Sequence, residues 1–144
     1  MNIQPRRVRV VIVDDHALFR AGLRQFLVDA LPAAEIGEAA SGNEVLTCLQ
    51  RKGCDMLILD INMPRMNGLE LLERIREDAD LHDSIVFMLT TSNHEEDKIE
   101  AFNLTVAGYM LKSDIGQSFV KAVELVDNYW RVMEFPSGSS GGTS

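Results

Sequence analysis

The amino-acid sequence predicts an α/β fold, a doubly wound, five-stranded parallel sheet with helices on both faces. Short apolar runs rich in valine, isoleucine and leucine alternate with segments whose apolar residues recur at helical spacing. The runs are apolar at consecutive positions, which is typical of parallel strands that are covered on both sides. Short connections between alternating strands and helices imply right-handed crossovers, which place helices against the sheet.

Five segments are predicted to be strands. They cover residues 8–13, 35–39, 56–60, 85–90 and 107–111. The third is the clearest, because Leu57, Ile58 and Leu59 form a continuous apolar run that ends at Asp60. The second is short and weak, since glutamate and glycine interrupt its apolar residues.

Five segments with helical periodicity are predicted to follow the strands. They cover residues 17–31, 41–51, 69–77, 95–102 and 115–133. Apolar side chains of the first helix recur on one stripe, and Pro32 ends it. Ser41 and Glu44 predict a capping box at the start of the second helix. Residues 64–68 are interpreted as a turn before the third helix.

Length and charge restrict the class of protein. The 144 residues fit one domain, predicted over residues 8–134, with an N-terminal extension (1–7) and a flexible Ser/Gly-rich tail (135–144). A formal net charge of −8 argues against direct nucleic-acid binding, which needs a basic surface. The arginines before the first strand, including Arg9, are interpreted as a solvated edge.

Cysteine content and hydropathy bear on location. Cys48 and Cys54 are too few for a disulfide framework and are interpreted as packed thiols in a reducing compartment. No apolar run approaches the roughly 20 residues that are needed to span a bilayer. The first residues also lack the apolar stretch of a signal peptide. These features together predict a cytoplasmic protein that does not interact with membranes.

Polar residues stand at the ends of four predicted strands. Asp14 and Asp15 follow the first strand, Asp60 ends the third, Thr90 ends the fourth, and Lys112 follows the fifth. Singly, such residues are more often helix caps, turn formers or surface charges. In open α/β sheets, however, the ligand crevice lies beyond the carboxyl ends of the strands. We therefore expect these side chains to share one crevice.

Such a crevice would have a definite chemistry. Carboxylates crowded together are costly unless a cation or a proton relieves their repulsion. Their hard oxygen atoms, with room for water, suit Mg²⁺ better than a soft metal. An aspartate beside a metal can act as a nucleophile, while a hydroxyl and an ammonium hold the oxygens of a transferring phosphoryl group.

These residues form part of a larger set of motifs. The set is Asp14-Asp15, Asp60-x-x-Met63-Pro64-x-x-Asn67-Gly68, Thr90 and Tyr109-x-x-Lys112. It closely resembles the receiver domain of bacterial two-component response regulators, over residues 8–130. In combination the motifs are highly specific. The resemblance implies a flavodoxin-like (βα)5 fold.

The resemblance also implies a phosphorylation-dependent signalling switch and not a turnover enzyme. Asp60 would accept a phosphoryl group from a phosphohistidine of a sensor histidine kinase or phosphotransfer protein. Asp14, Asp15, Asp60 and the backbone carbonyl of Asn62 would hold Mg²⁺.

Further residues would transmit the phosphorylation. By the resemblance, Lys112 and Thr90 would bind phosphoryl oxygens, and Thr90 would move toward them. Tyr109 would follow by changing rotamer, which would remodel the surface formed by the fourth helix, fifth strand and fifth helix. Such a local event biases a bistable element. The surface would then control a downstream protein or self-association into a homodimer.

Other functions are also consistent with parts of the pattern. A Mg²⁺-dependent aspartyl-phosphate phosphatase of haloacid dehalogenase type would need a second aspartate where Asn62 stands. A module that works without phosphorylation would not need the complete set of polar residues. A flavodoxin-like electron carrier would need a phosphate-binding loop after the first strand, and that loop is absent from the sequence.

Three positions near the predicted site bear on its details. Ser113 occupies a position where the family usually has a proline, often after a cis peptide, so the geometry of the Lys112–Ser113 peptide is open. Thr91 is larger than the residue many receivers carry there, which predicts narrower access to Asp60. His16 follows the acidic pair, and we interpret it as a loop histidine that caps the first helix and not as a metal ligand.

Overall fold

The computed structural model of the protein describes residues 8–63, 65–91, 103–114, 116 and 121. The strands in this range are β1 (Arg9–Val13), β2 (Glu35–Ala39), β3 (Met56–Asp60), β4 (Ile85–Thr90) and β5 (Gly108–Leu111). The α-helices are α1 (Ala17–Ala30), α2 (Gly42–Lys52) and α3 (Gly68–Glu77). The predicted segments that lie wholly or mostly outside the described residues are 1–7, 95–102, 115–133 and 135–144.

The strands form one parallel sheet with the order β2-β1-β3-β4-β5. β1 pairs with both β2 and β3, so the chain reverses its direction of winding at β1. This order is that of flavodoxin-like folds, and it confirms the predicted doubly wound sheet. In the register of the sheet Asp60 is level with Leu89, and Thr90 is level with Leu111. The carboxyl ends of the strands therefore meet at one edge.

The two faces of the sheet are covered by different helices. One face packs against α2 and α3, in a cluster that includes Val11, Leu57, Val86, Val45 and Leu72. The other face packs against α1, in a cluster that includes Val10, Ile58, Leu89, Leu23 and Leu27. Neighbouring strand residues alternate between the two clusters, because successive side chains of a strand point to opposite faces. The prediction of helices on both faces is confirmed.

The N-termini of α2 and α3 are fixed by side-chain caps. At α2, the Ser41 hydroxyl accepts a hydrogen bond from the Glu44 amide at 3.2 Å, while the Glu44 carboxylate accepts one from the Ala40 amide at 3.3 Å. The Ser41 half of the predicted capping box is therefore present, but the Glu44 carboxylate binds the amide of Ala40 and not that of Ser41. At α3, Asn67 and Glu70 form a complete capping box, so the segment predicted as a turn also caps this helix.

Arg9 differs from its sequence interpretation. Its side chain is only 13% exposed, and it forms an ion pair with Glu35. Its Nε donates a hydrogen bond to the Gly53 carbonyl at 2.8 Å, and its backbone amide donates one to the Asp55 carboxylate at 2.8 Å. The interpretation of Arg9 as part of a solvated edge is wrong, because this guanidinium ties β1 to the loop that precedes β3.

Two predictions from composition can be compared with the described residues. Both cysteines are free, as expected. Burial raises the pKa of the Cys54 thiol to about 11, so this thiol stays protonated and packs as a small apolar group. Among the described residues, no helix is both long and apolar enough to cross a membrane.

Gly68 is required by the close approach of α3 to β3. A Cβ at this position would lie 2.9 Å from Ile61 Cα and closer still to the Asp60 carbonyl oxygen. We expect Gly68→Ala to lower the free energy of unfolding by about 1–3 kcal/mol, because the backbone beside Asp60 must shift. Urea denaturation would measure this change.

The matched control for this substitution is Gly22→Ala. Gly22 lies within α1, and an added Cβ there would meet nothing within 4 Å. Alanine should therefore raise the free energy of unfolding by about 0.5–1 kcal/mol, since it favours the helix. Equal stability of the two alanine variants would contradict the proposed packing at Gly68.

Candidate functional site

Asp14 lies just beyond β1 and is held rigidly. It is fully buried, and its backbone amide donates a hydrogen bond to the Ala39 carbonyl at 3.1 Å. Its Oδ1 accepts a hydrogen bond from the His16 amide at 2.8 Å, and Arg20 donates one to its carbonyl at 2.5 Å. The neighbouring Asp15 is more open, with its side chain 28% exposed. The acidic pair thus has one fixed member and one that is accessible from solvent.

Asp60 is the last residue of β3 and is also fully buried. Its Oδ1 accepts a hydrogen bond from the Asn62 amide at 3.2 Å. The next residue, Ile61, donates its amide to the Leu89 carbonyl at 2.9 Å, which continues the pairing with β4 past the strand end. The carboxylate is therefore held at the bottom of the crevice by the backbone around it.

Lys112 connects the two buried carboxylates. It starts the 3₁₀ turn after β5, and its side chain is 10% exposed. The ammonium Nζ lies 2.7 Å from Asp14 Oδ2 and 3.2 Å from Asp60 Oδ2. It also lies 4.6 Å from the centre of the Phe19 ring, a cation–π distance. Three strand ends are thus joined through one cation.

The electrostatics of the crevice favour a further cation. Burial raises the pKa of Asp60 above its ordinary value, and the charge of Asp14 raises it further, while Lys112 and the Asn62 amide act in the opposite direction. In the described part of the crevice, the carboxylates of Asp14, Asp15 and Asp60 face a single ammonium. A divalent ion would therefore lower the energy of the ionised crevice.

The donor atoms fit a hard divalent ion. None of the described residues donates a well-aligned hydrogen bond to the buried atoms Asp14 Oδ2 and Asp15 Oδ1. One ligand atom from each of Asp14, Asp15, His16 and Asp60 can be chosen so that all lie within 4.8 Å of one another. Oxygen-rich sets of this kind suit Mg²⁺.

Thr90 and Tyr109 lie on neighbouring strands. Thr90 ends β4 and is 3% exposed, one position beyond the residue that is level with Asp60. Tyr109 is half-buried on β5, level with Met88, and packs against the core that lies under α2 and α3. Thr90 therefore lies at the crevice edge of the sheet, whereas Tyr109 lies deeper along β5.

Asn62 and Thr91 lie at the rim of the crevice. The side-chain amide of Asn62 donates a hydrogen bond to the Thr91 hydroxyl at 3.4 Å, and both residues are exposed. The Lys112–Ser113 peptide is trans, which settles the geometry that the sequence left open. Asn62 and Thr91 together form one side of the entrance to Asp60.

His16 lies closer to the acidic crevice than its interpretation as a loop residue implies. It occupies the N-cap position of α1, but its side chain makes no capping hydrogen bond to the described first turn. Its Nδ1 lies 3.2 Å from Lys112 Nζ and 3.3 Å from Asp14 Oδ1. The signal in the sequence was its place directly after Asp14-Asp15. His16 is thus the N-cap residue of α1, as predicted, although only its backbone takes part in the cap.

Comparison with known proteins agrees with this geometry. Residues 10–124 match the family model of the response regulator receiver domain. The nitrate/nitrite response regulator protein NarL of Escherichia coli strain K12 is 35% identical over 114 residues, which cover 79% of this chain and 52% of that protein. The transcriptional regulatory protein YdfI of Bacillus subtilis is 32% identical over 116 residues, which cover 81% of this chain and 53% of that protein. The chain spans about half the length of these curated relatives.

A solved structure supports the same assignment. Chemotaxis protein CheY4 of Vibrio cholerae is 28% identical and superposes with a TM-score of 0.71, covering 84% of this chain and 99% of that one. The sheet order, the acidic crevice and the family match therefore point in one direction. The chain belongs to the response regulator receiver domain family, whose members act in phosphorylation-dependent signalling.

Proposed function

We propose that Asp60 is the phosphoacceptor of this receiver and takes its phosphoryl group from a phosphohistidine of a sensor histidine kinase or phosphotransfer protein. The observation that carries the proposal is the buried Asp60 carboxylate, whose Oδ2 lies 3.2 Å from a lysine that also contacts Asp14. A nucleophile, a cation and a second carboxylate thus meet at one strand edge. This combination suits phosphoryl transfer, which depends on a positioned nucleophile and on positive charge beside the phosphoryl oxygens.

In the proposed reaction, a carboxylate oxygen of Asp60 attacks the phosphorus atom. The new O–P bond forms as the P–N bond to the donor histidine breaks, and the electron pair of that bond returns to the imidazole nitrogen. The Asn62 amide holds Oδ1, which orients the carboxylate for attack. The Lys112 ammonium is near enough to exchange its contact with Asp60 for a phosphoryl oxygen.

Asp14, Asp15 and Asp60, with the backbone carbonyl of Asn62, are proposed to hold Mg²⁺. When bound, Mg²⁺ would supply positive charge beside the phosphoryl oxygens. The rigid Asp14 and the more exposed Asp15 suit this purpose, because one fixes the position of an ion and the other leaves room for water.

Thr90 and Tyr109 are proposed to transmit the phosphorylation of Asp60 to the surface of the protein. The Thr90 hydroxyl would donate a hydrogen bond to a phosphoryl oxygen, and Tyr109 would change rotamer in response. Thr90 lies on β4 and Tyr109 on the paired strand β5, so a shift at Thr90 would act on the strand that carries Tyr109. The remodelled surface would then bind a protein partner or a second copy of this chain.

The setting of this switch is also part of the proposal. The net charge of −8 favours protein partners over direct binding of nucleic acid by this chain. A cytoplasmic location fits free thiols and a histidine kinase as donor. The name of the relative YdfI suggests that a longer protein with this receiver would regulate transcription.

Mass spectrometry after incubation with Mg²⁺ and acetyl phosphate tests the phosphoacceptor. We expect one phosphoryl group per chain, located at Asp60 by reduction with borohydride and peptide mapping. Asp60→Asn should remove the label, while Asp29→Asn, which changes an exposed acid of α1, should leave it intact. Undiminished labelling of Asp60→Asn would exclude Asp60 from the role. Multiple turnovers of a phosphate ester would instead favour the phosphatase alternative.

A further inference from the structure

The imidazole of His16 faces the acidic crevice. Its Nδ1 lies 3.3 Å from Asp14 Oδ1 and 3.6 Å from Asp15 Oδ1. The same nitrogen lies 3.2 Å from Lys112 Nζ. The side chain is 61% exposed, so burial does not force this orientation. The imidazole therefore adds a nitrogen donor to a set that otherwise consists of oxygens.

The donor atoms already surround a cation. Asp14 Oδ2, Asp60 Oδ2 and His16 Nδ1 all lie within 3.2 Å of the Lys112 ammonium. Atoms from three separate segments thus converge on one positive centre. Asp15 Oδ1, a buried oxygen, accepts no hydrogen bond from the described residues and lies on the same side, next to His16. These positions indicate a cation site to which the imidazole belongs.

The spacing of these atoms fits direct coordination. In an octahedral site with bonds of about 2.1 Å, adjacent ligand atoms lie about 3.0 Å apart and opposite ones about 4.2 Å apart. The separations from His16 Nδ1 to Asp14 and Asp15, 3.3 Å and 3.6 Å, are close to those of adjacent ligands. The whole set of four lies within 4.8 Å. Coordination of one ion by all four would require the Lys112 ammonium to withdraw from His16 Nδ1 and the ligand atoms to move closer together.

We infer that His16 is a metal ligand that makes this crevice selective for borderline divalent ions, such as Co²⁺ and Zn²⁺, over Mg²⁺. The inference rests on the proposed metal crevice and specifies which ions compete for it. Imidazole nitrogen binds these ions well, whereas Mg²⁺ prefers oxygen ligands. Such an ion would occupy the crevice through His16, Asp14 and Asp15, so its availability would regulate the receiver.

Metal titration of the full chain with His16→Asn tests the inference. Asparagine is a favoured N-cap residue, so the start of α1 is preserved, and its amide keeps an oxygen donor but removes the nitrogen. We expect Co²⁺ and Zn²⁺ affinities, measured by calorimetry, to fall at least about tenfold, and Mg²⁺ affinity to change less than about twofold. The visible absorption of bound Co²⁺ should also change, because this spectrum reports its ligands.

His82→Asn is the matched control. His82 is an exposed histidine on the loop between α3 and β4, where its Nε2 lies 3.3 Å from Asp83 Oδ1. This variant should bind every ion like the wild type. If His16→Asn keeps the wild-type Co²⁺ affinity and spectrum while Mg²⁺ still binds, His16 ligation is excluded and the proposed phosphoacceptor site stands. If the folded wild type binds neither Mg²⁺ nor Co²⁺, the metal crevice itself is excluded, and the inference falls with it.

Discussion

Lys112→Met is expected to lower the free energy of unfolding by about 3–5 kcal/mol in metal-free buffer at neutral pH. Lys112 contacts two fully buried carboxylates, Asp14 and Asp60. Methionine preserves the length of the stem and its packing beside Phe19 but removes the charge. The buried carboxylates are then left without their cation, which is the most costly result of breaking a buried ion pair. Urea denaturation in EDTA would measure the loss.

Two comparisons separate this effect from a general loss of packing. Lys121→Met changes an exposed lysine and should alter stability by less than about 0.5 kcal/mol. Adding Asp60→Asn to Lys112→Met should recover part of the loss, because one of the uncompensated charges is removed. If Lys112→Met is as stable as Lys121→Met, the lysine does not stabilise the acidic crevice.

The fold could be predicted from the sequence because its signals are local. The continuous apolar run Leu57-Ile58-Leu59 identifies β3 as a strand covered on both faces, and it is completely buried. Even the weak β2 was placed correctly, since it is flanked by clear helices. Because the predicted strands are parallel, their carboxyl ends must meet at one edge, and this places Asp14 and Asp60 together there.

Contacts between distant segments could not be predicted in this way. His16 approaches Lys112 across 96 positions of the sequence, so nothing near His16 reveals its partner. Arg76 is similar, since a helical arginine would ordinarily be assigned to solvent. Its guanidinium instead donates hydrogen bonds to backbone carbonyls of two loops. The carbonyl groups it contacts belong to His82, Ser84, Leu104 and Thr105.

These hidden contacts have a common physical reason. Local periodicity specifies which side of an element faces the core, but a long polar side chain reaches several ångströms beyond its own element. Its partners depend on how distant loops are arranged, as with Arg76 in the last turn of α3, whose Nε donates to the Leu104 carbonyl in the segment that leads into β5. Burial lowers the pKa of Arg76, yet the group is compensated by those carbonyls. The position of Lys112 after β5 placed it in the crevice, and the resemblance to receivers agreed, but the imidazole beside it had no such guide.

Asp60→Asn is expected to be more stable than the wild type in metal-free buffer but less stable than the wild type in Mg²⁺-containing buffer. Burial and the charge of Asp14 raise the folded-state pKa of Asp60 above its ordinary value of 3.8. Stability from this group is therefore fully present below pH 3.8 and is lost as pH rises through the raised folded-state pKa. Above that range, the ionised Asp60 destabilises the fold. In EDTA at pH 7 the asparagine variant should be more stable by about 1 kcal/mol, an advantage that shrinks toward pH 4.

With Mg²⁺ the wild type should become the more stable protein. An ion at 100 times its dissociation constant stabilises the native state by about 2.7 kcal/mol, roughly 10 °C in Tm. Asp60→Asn lacks one charged ligand and should gain much less, whereas Asp29→Asn should gain as much as the wild type. Thermal melts in EDTA and in Mg²⁺ would measure both differences. If Mg²⁺ raises the Tm of Asp60→Asn as much as that of the wild type, the ion binds elsewhere. If Asp60→Asn is less stable than the wild type in EDTA, the charge of Asp60 does not destabilise the empty crevice. The crossover is expected because the charge repulsion that destabilises the empty crevice is the same property that attracts the ion.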